Sequence, residues 1–524
     1  MSPAPTIILS TLNARYIHAS LGLRYLLANM ARHGGEDLRA ATVLREFTIS
    51  RPVGEIVEAL LGELGEATAG VPQIVGFGVY IWNVGPTTEV VRRLKAARPA
   101  LKIVLGGPEV SHEWADQEIV RLADYLITGW GDVSFPKLCR ALIAGPPPLS
   151  KVIAGEQPAL AEIALPYAEY SADDLRHRLL YVEASRGCPF TCEFCLSALD
   201  KTAWAFDLAR FLAALDSLYQ RGARHFKFVD RSFNLKIDAS LSILQFFLDR
   251  LRPGLFLHFE LIPDHLPDRL KAMIARFPPG NLQFEIGVQS LNPEVQQNIS
   301  RRQDNAKTAE NLTWLVDHSH AHLHADLIFG LPGETLASFA EGFDRLYALR
   351  PHEIQLGVLK RLRGTPIARH SLVHGMVYAA EPPYTIQQTA VVDAATVQRF
   401  TRLARYWDLI ANSGRFAQSL PILLDAPSPF NAFLAFADWL WQSAGQTNRL
   451  TPEILVDAVF AYLTEVLGRD KENTRKILLA DYQASGARAN PSCLQGLLKD
   501  RATPAPRALR GLAQRQDRHG GTGG

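Results

Sequence analysis

The sequence predicts two consecutive α/β units with parallel sheets, followed by a helical region. Three observations support this prediction. Short apolar runs alternate with amphipathic stretches over residues 6–144, the alternation resumes with a longer period from residue 180, and helical periodicity replaces it after about residue 375. Strands that alternate with helices are typical of parallel sheets covered by helices. The length of 524 residues is enough for about three domains at roughly 150 residues each.

In the first unit, predicted as a domain over residues 1–145, four apolar runs predict buried strands: 6–10, 74–80, 102–105 and 125–127. Amphipathic stretches at 88–97 and 135–143 predict helices. Ligands of doubly wound parallel sheets bind beyond the carboxyl ends of the strands. The loops at that edge are therefore the candidate binding region: 13–20, 81–83, 106–109 and 129–132.

A proline-rich stretch at 145–148 ends this pattern, and residues 146–178 are predicted to form a linker. Residues 179–365 then contain six predicted strands: 180–183, 226–229, 255–259, 282–286, 325–329 and 353–358. Six strand–helix units predict a partial barrel, with its reactive groups at the carboxyl ends of the strands. Residues 366–500 are predicted to be helical, and the Arg/Gly/Pro-rich residues 501–524 to be disordered.

Composition argues against several classes of protein. A formal net charge of +2 gives no broad basic field, so nucleic-acid binding is not implied. The sequence contains no run of about 18 apolar residues that would span a bilayer, and its start lacks the features of a signal peptide. Five cysteines in 524 residues do not make a disulfide framework. We therefore expect a reduced, cytoplasmic enzyme that binds no membrane.

Three cysteines are clustered directly after the predicted strand at 180–183. Cys188, Cys192 and Cys195 have the spacing C-x3-C-x2-C. A set of thiolates favours iron–sulfur or zinc over hard cations. Structural clusters and structural zinc usually take four protein ligands, so three thiolates would leave one iron of a cube open for chemistry. A zinc site without its fourth ligand and a chance grouping are the alternatives.

This spacing resembles the radical S-adenosylmethionine (SAM) superfamily, and the similarity extends over roughly residues 180–360. The second half is most similar to the oxygen-independent coproporphyrinogen oxidases and to the cobalamin-dependent subgroup. The resemblance implies a partial TIM-type barrel, a [4Fe–4S] cluster on the three cysteines, and SAM chelated by the open iron. It also implies that SAM is cleaved reductively to a 5′-deoxyadenosyl radical, which takes hydrogen from an unactivated carbon.

Three residues in the first half of this region correspond to SAM-binding positions of the superfamily. Phe194, before the third cysteine, matches an aromatic position near the adenine, although simple core packing is the alternative. Glu260 matches the glutamate that binds the SAM ammonium, and a barrel-top salt bridge is its alternative. Asp230 stands where the superfamily often has a Gly-Gly-Glu run, without the glycines. Asp230 can instead face substrate or cap the next helix.

Three residues in the second half carry closer matches. Gln289, in the run 285–292, matches a ligand of a ribose hydroxyl. Arg301 matches the arginine that pairs with the SAM carboxylate, and its planar fork suits that group. Asp326 matches the second ribose ligand and is followed by glycines at 330 and 333 that would allow the backbone to approach the adenine.

The first unit resembles the cobalamin-binding domains that precede many radical SAM barrels, which have a Rossmann-like (flavodoxin-like) fold. The motif of those domains is a histidine in the first loop, then Ser-x-Leu, then Gly-Gly. Here residues 78–80 replace Ser-x-Leu, and His18 lies in the first loop in unmatched surroundings. The resemblance therefore implies cobalamin without a protein imidazole on cobalt. The implied contacts are four glycines that leave room beside the backbone and two aromatic residues: Gly106, Gly107, Gly129, Gly131, Tyr80 and Trp82.

The order of the whole chain is similar to an uncharacterised bacterial family of B12-binding radical SAM proteins, and the run at 12–20 is distinctive of it. The resemblance implies a cobalamin-dependent enzyme that methylates an unactivated carbon in a small molecule or peptide. A reductant such as flavodoxin or ferredoxin would supply the electron. The alternatives are a rearrangement or cyclisation without methyl transfer, a non-catalytic corrinoid-binding protein, and an amino-terminal domain that binds nothing.

Overall fold

The amino-terminal part is a parallel six-stranded sheet with helices on both faces. It is seen in a computed structural model that describes residues 7–66, 72–487 and 490–498. The strands are β1 (Ile7–Asn13), β2 (Thr42–Thr48), β3 (Ile74–Gly78), β4 (Lys102–Gly106), β5 (Tyr125–Thr128) and β6 (Val152–Ala154), in the spatial order β2-β1-β3-β4-β5-β6. The helices are α1 (Leu21–Gly34), α2 (Glu36–Ala40), α3 (Val53–Leu64), α4 (Val84–Ala97), α5 (Glu118–Leu122) and α6 (Ser134–Ala144). The predicted doubly wound, Rossmann-like arrangement is confirmed.

Two strands of this sheet differ from the prediction. β2 lies at an edge and places Arg45 and Glu46 among mostly half-exposed residues, so it has no apolar run by which to recognise it. β6 lies inside residues 146–178 and pairs with β5 through Leu126 and Val152. The structure therefore corrects the linker prediction, because the first part of that segment completes the sheet.

The middle of the chain is the predicted partial barrel. Its six parallel strands lie in the order β14-β13-β12-β11-β10-β7. They are β7 (Leu180–Val182), β10 (His225–Phe228), β11 (Phe256–Leu261), β12 (Leu282–Gln289), β13 (His322–Phe329) and β14 (Glu353–Val358), and a hairpin of β8 (Ser185–Arg186) and β9 (Trp204–Ala205) lies beside them. The helices are α7 (Ala172–His177), α8 (Leu208–Gln220), α9 (Ile237–Leu248), α10 (Asp268–Ile274), α11 (Pro293–Asn298), α12 (Asn305–His318) and α13 (Leu336–Ala348).

Alternation along the barrel strands separates an apolar face from a polar face. In β12, Phe284 and Ile286 are buried in the core shared with the helices, while Glu285 and Gln289 are only half-buried. Successive strand residues point to opposite sides of a sheet. The polar side chains therefore share the concave face of the barrel, and this face holds the candidate site.

The carboxyl-terminal part is mostly helical and packs on the end of the barrel. Its elements are the short hairpin β15 (Val377–Tyr378) and β16 (Ile386–Gln388), which was not predicted, and α14 (Ala394–Ile410), α15 (Leu420–Leu423), α16 (Pro429–Ala444), α17 (Pro452–Ala461) and α18 (Lys471–Ala484). Phe400 of α14 stacks on Phe329 of β13 with ring centroids 4.0 Å apart. The tail predicted to be disordered, 501–524, lies outside the described residues. Within the described ranges, no helix is long and apolar enough to cross a membrane.

Candidate active site

The three clustered cysteines lie in a loop that is closed by the β8–β9 hairpin. Ser185 of β8 pairs with Ala205 of β9 in antiparallel fashion. At the entrance to the loop, the Asp230 carboxylate accepts hydrogen bonds from the Ala184 N–H at 2.9 Å and from the Ser185 hydroxyl at 2.5 Å. These contacts hold the start of the cysteine loop against the end of β10.

Cys188 is buried, Cys192 and Cys195 are partly exposed, and all three line one cavity of about 550 Å³. Burial, reinforced by the two neighbouring thiols, raises the pKa of Cys188. A bound metal would offset this effect, because coordination deprotonates a thiol.

The three cysteines supply sulfur ligands, and a cluster and a single ion would use such ligands differently. Across the described residues, no three His, Cys, Asp or Glu side chains are arranged to hold one metal ion. The ligands of structural zinc surround a single ion. Thiolates that bind a [4Fe–4S] cube each attach to a different iron, so they do not have to converge on one point. Three thiolates are therefore a suitable donor set for three irons of such a cube.

Five of the six predicted SAM residues line the same cavity as the cysteines: Phe194, Glu260, Gln289, Arg301 and Asp326. They come from the cysteine loop, the carboxyl halves of three barrel strands and the segment after α11. The barrel thus brings together residues that are up to 132 positions apart between Phe194 and Asp326. A cavity of about 550 Å³ lies within the range of about 300–1,000 Å³ that holds small ligands.

The buried side-chain oxygen of Gln289 indicates that this cavity binds a ligand. A β-bulge at Gly287 and Gln289 interrupts the pairing of β12 with β13, and Gln289 has a φ of 69°. Its side-chain oxygen is buried and has no hydrogen-bond partner. Buried polar atoms are nearly always satisfied in proteins. A hydroxyl of a bound ribose would supply the missing donor, so Gln289 fits its predicted function.

Arg301 brings a cation next to one of the cysteines. Its Nε donates to the Gln303 side-chain oxygen at 3.0 Å, and its guanidinium also donates to the Gly287 carbonyl. Its Nη1 lies 3.5 Å from the Cys192 sulfur. A carboxylate held beside the cluster would meet this planar group, which can bind both oxygens.

Glu260 already has a positively charged partner. Arg231 Nη1 lies 2.6 Å from Glu260 Oε1, and both residues line the cavity. The salt bridge that the sequence left as an alternative is therefore present. Burial nevertheless raises the pKa of Glu260, although the charge of Arg231 opposes the shift. An ammonium group bound here would share Glu260 with Arg231 or displace it.

Asp326 and Glu285 are neighbouring carboxyl groups whose pKa values are shifted in opposite directions. Burial, together with the charge of Glu285, raises the pKa of Asp326 well above its usual range. Burial opposes ionisation of Glu285 too, but a hydrogen bond from His258 at 3.0 Å and the charge of Lys227 hold its pKa below the usual range. Asp326 therefore holds a proton more readily than Glu285 does, and its carboxyl group can hydrogen-bond to a ribose hydroxyl.

Asp230 does not belong to this cavity. It is buried, and its carboxylate is engaged by Ala184 and Ser185 at the stem of the cysteine loop. Burial raises the pKa of Asp230 to about 7. Asp230 therefore lies at the stem of the cysteine loop, apart from the cavity that the other five residues share, and SAM binding by Asp230 stays a prediction.

A second cavity of about 290 Å³ lies at the carboxyl edge of the first sheet. Five of the six predicted cobalamin residues line it: Tyr80, Gly106, Gly107, Gly129 and Gly131. Its volume is at the lower end for small ligands, so it suits a portion of cobalamin such as the nucleotide tail. Glu183 and Arg186, from the second unit, complete its wall.

The sixth predicted residue, Trp82, does not line this cavity. It stacks on Tyr80 with ring centroids 4.5 Å apart and is 45% exposed. Its indole N–H donates to the Leu12 carbonyl at 3.3 Å. Trp82 therefore lies against Tyr80 outside this cavity, and its contact with cobalamin stays a prediction.

The backbone requires glycine at only one of the two adjacent positions 106 and 107. Gly107 has a φ of 109°, and a Cβ there would lie 2.5 Å from the Val79 carbonyl, so the backbone itself requires glycine. A Cβ at Gly106 would meet only the Ile127 carbonyl at 3.7 Å. Gly106, and not Gly107, is therefore the position where a side chain can be added to fill the cavity.

His18 is not among the residues that line this second cavity. Its Nδ1 lies 2.8 Å from the Tyr181 hydroxyl of β7. Burial, with the charges of Lys227 and Arg15, lowers the pKa of His18. These contacts agree with the expectation that His18 is no cobalt ligand, which stays a prediction.

Sequence reasoning missed the residues that connect the two cavities. Trp130 and Asp132 directly follow the predicted glycines Gly129 and Gly131 in the loop after β5, and Arg186 lies two residues before Cys188. Arg231 adjoins Asp230. Each stands beside a recognised motif residue, which is the only signal the sequence offers, because their partners are far away along the chain.

Comparisons with known proteins identify three regions. Residues 8–139 match the B12 binding domain, residues 182–346 match the radical SAM superfamily, and residues 373–515 match a protein family of unknown function (DUF4080). The chain therefore combines a B12 binding domain with a radical SAM domain, as the sequence predicts.

Individual relatives agree with this assignment. The 2-(S-pantetheinyl)-carbapenam-3-carboxylate methyltransferase of Streptantibioticus cattleyicolor is 24% identical over 64% of this chain. That match spans about half of the relative, 55% of its length. A shorter region, 20% of this chain and 23% of the relative, is 30% identical to the oxygen-independent coproporphyrinogen III oxidase of Paracoccus denitrificans.

A solved structure shares the fold. The cobalamin-dependent S-adenosylmethionine radical enzyme OxsB, with aqua-cobalamin bound, is similar with a TM-score of 0.59 and 14% sequence identity. The similarity covers 91% of this chain and 79% of that protein. At this identity the likeness establishes a common architecture.

Proposed function

We propose that this chain, in which a B12 binding domain precedes a radical SAM domain, is a cobalamin-dependent radical SAM enzyme that methylates an unactivated carbon. The observation that carries the proposal is the cavity in which the three clustered cysteines face Gln289 and Arg301. The similarity to a methyltransferase supports methyl transfer as the reaction.

Different residues of the main cavity would bind the cluster and the different groups of SAM. Cys188, Cys192 and Cys195 would hold a [4Fe–4S] cluster, Arg301 would anchor the carboxylate of SAM, and Gln289 would accept a hydrogen bond from its ribose. When bound, the cluster and one SAM would supply the radical that removes hydrogen, and cobalamin would supply the methyl group. A second SAM would restore that methyl group on cobalamin and leave as S-adenosylhomocysteine.

The surroundings of the cavity would protect and direct this chemistry. Phe194 packs against the barrel core and lines the cavity beside the cysteines, where its ring would offer apolar surface to the bound cofactor. Asp326 would hydrogen-bond to the ribose, and Glu285 lines the same cavity. We infer a small-molecule or peptide substrate that enters between the two cavities.

The proposed reaction also implies an electron donor and a cellular location. The cluster needs an external electron, so we infer a protein reductant such as flavodoxin or ferredoxin. We also infer a cytoplasmic location, because free thiols persist in reducing compartments.

Product analysis tests the proposal. The reconstituted protein would be incubated anaerobically with SAM, cobalamin and a strong reductant. S-adenosylhomocysteine together with 5′-deoxyadenosine would support methyl transfer, and Cys192→Ala should form no 5′-deoxyadenosine. Formation of 5′-deoxyadenosine alone would favour rearrangement or cyclisation. A wild-type protein with full iron content that forms neither product would contradict the proposal.

A further inference from the structure

The loop after β5 contacts the cysteine loop at two points. Trp130 Nε1 donates to the Asp200 carboxylate at 2.9 Å. The two oxygens of Asp132 accept hydrogen bonds from the two terminal nitrogens of Arg186 at 2.8 and 3.1 Å. Trp130 and Asp132 belong to the first sheet and line its cavity, whereas Asp200 and Arg186 belong to the segment that carries the cysteines.

Arg186 is a buried cation whose position is fixed from several sides. Its side chain is 11% exposed, and its guanidinium lies 4.3 Å from the centroid of Tyr25 and 4.9 Å from that of Trp130. Glu183 accepts from its Nε at 2.8 Å. A buried charge needs its partners, and a two-pronged pair fixes orientation as well as distance. Residues of the first unit therefore set where β8 lies.

Both contacts lead to the backbone of Cys188. The carbonyl of Asp200 accepts a hydrogen bond from the Cys188 N–H at 2.8 Å. Arg186 lies two residues before Cys188, and its carbonyl accepts from the Thr202 hydroxyl at 3.2 Å. Gly187, between them, has a φ of 81°, and a Cβ there would lie 2.6 Å from that same hydroxyl. The backbone before Cys188 has little freedom to shift on its own.

We infer that Trp130 and Asp132 are positioning residues for the cysteine loop, acting on Cys188 through Asp200 and Arg186. The inference rests on the proposed function for the identity of the two ligands, but the contacts belong to the protein alone. Because these residues also wall the second cavity, a ligand there and SAM in the main cavity would change each other's affinity by the same factor.

Cobalamin-free protein gives the cleanest test. Trp130→Phe removes the indole N–H and keeps an aromatic ring, and Asp132→Asn removes the charge and keeps the shape. After anaerobic cluster reconstitution, we expect the SAM dissociation constant to rise about threefold to tenfold in each variant. The effect is modest because the lost hydrogen bond holds the cysteine loop and does not contact SAM itself. The electron paramagnetic resonance (EPR) signal of the reduced cluster with SAM should change as well. Asp132→Glu, which keeps the charge, should change the SAM dissociation constant and the EPR signal less than Asp132→Asn does.

Matched controls make the same exchanges elsewhere in the first unit. Trp114→Phe alters an exposed tryptophan, and Asp37→Asn alters an exposed carboxylate that pairs with Arg140. Both should retain the wild-type SAM affinity and EPR signal. These controls separate a specific effect on the cysteines from a general effect on the domain.

The outcomes distinguish this inference from the proposed function. If Trp130→Phe and Asp132→Asn carry a full cluster with wild-type EPR signal and SAM affinity, the inference is wrong, whatever the protein does with cobalamin. Loss of the cluster in both variants, with wild-type circular dichroism and an intact cluster in the controls, supports it. Wild-type protein that takes up no cobalamin refutes the proposed function, and the comparison of variants can still be read.

Discussion

Removal of the Arg301 guanidinium should weaken SAM binding far more than it perturbs the fold. An arginine side chain has five N–H groups. One donates to Gln303, one donates to Gly287, and one points at the Cys192 sulfur 3.5 Å away. Two N–H groups therefore remain for a ligand, which is the number that a carboxylate binds in a two-pronged pair.

The expected magnitude follows from this count. A hydrogen bond to a charged group is worth about 1.5–3 kcal/mol. Arg301 is partly exposed, so solvent screening reduces the sum for the pair to about 2–3 kcal/mol. The SAM dissociation constant of Arg301→Ala should accordingly rise by about 30-fold to 150-fold.

Equilibrium binding of SAM to anaerobically reconstituted protein measures this change, with iron content determined on the same sample. Arg301→Lys should give an intermediate loss, because it keeps the charge without the fork. Arg302→Ala is the matched control, since Arg302 is an exposed neighbour that lines the same cavity, and it should stay within about threefold of wild type. A wild-type affinity in Arg301→Ala with full iron content would refute the assignment of the carboxylate to Arg301.

Cys192→Ala should lose the [4Fe–4S] absorbance and most of the iron, whereas Cys139→Ala, outside the main cavity, should keep both; a full cluster in Cys192→Ala would disprove the assignment. Gly106→Val should abolish cobalamin uptake and retain the cluster, because the added Cβ has room beside the backbone, 3.7 Å from the Ile127 carbonyl, and the side chain fills the cavity; unchanged uptake would mean that cobalamin binds elsewhere. His18→Ala should leave the EPR spectrum of bound cob(II)alamin unchanged, without nitrogen splitting in either protein, and splitting that vanishes in the variant would show imidazole ligation. Glu334, between β13 and α13, is buried and accepts hydrogen bonds from the Ser290 and Ser338 hydroxyls at 3.1 and 3.0 Å. Burial raises the pKa of Glu334 to about 7 from 4.5, so the stability that it contributes is complete below pH 4.5 and is lost as the pH rises to 7; chemical denaturation of cluster-free Glu334→Gln should lack that loss, of up to about 3 kcal/mol, and an identical pH profile would contradict the shift.

The sequence predicts this fold well where the chemistry is local. The six barrel strands are recognisable because their helix-facing residues are strongly apolar, as Phe226 and Phe228 of β10 illustrate. The cysteine loop is recognisable by spacing alone. β2 escapes prediction because an edge strand tolerates half-exposed polar residues such as Arg45, and β6 because three residues give no period to detect.

The site is less predictable where its geometry depends on pairs that are distant in the chain. Nothing near Arg231 shows that it neutralises Glu260, and nothing near Asp132 shows that it holds Arg186. The reason for a glycine in a motif is equally hard to predict from the sequence. Gly107 is required by its positive φ and by its close approach to the Val79 backbone, and not by a ligand. These assignments require the positions of residues brought together by tertiary packing.

We expect one chain to hold a cluster and cobalamin in two cavities separated by the stem of the cysteine loop. EPR of protein that contains both the reduced cluster and cob(II)alamin, with iron and cobalt quantified, tests this arrangement. We expect a magnetic interaction between the two centres in the wild type and an isolated cluster signal in Gly106→Val. Protein that contains both metals in full and shows two independent spectra, or wild-type protein that binds iron and no cobalamin, would contradict it.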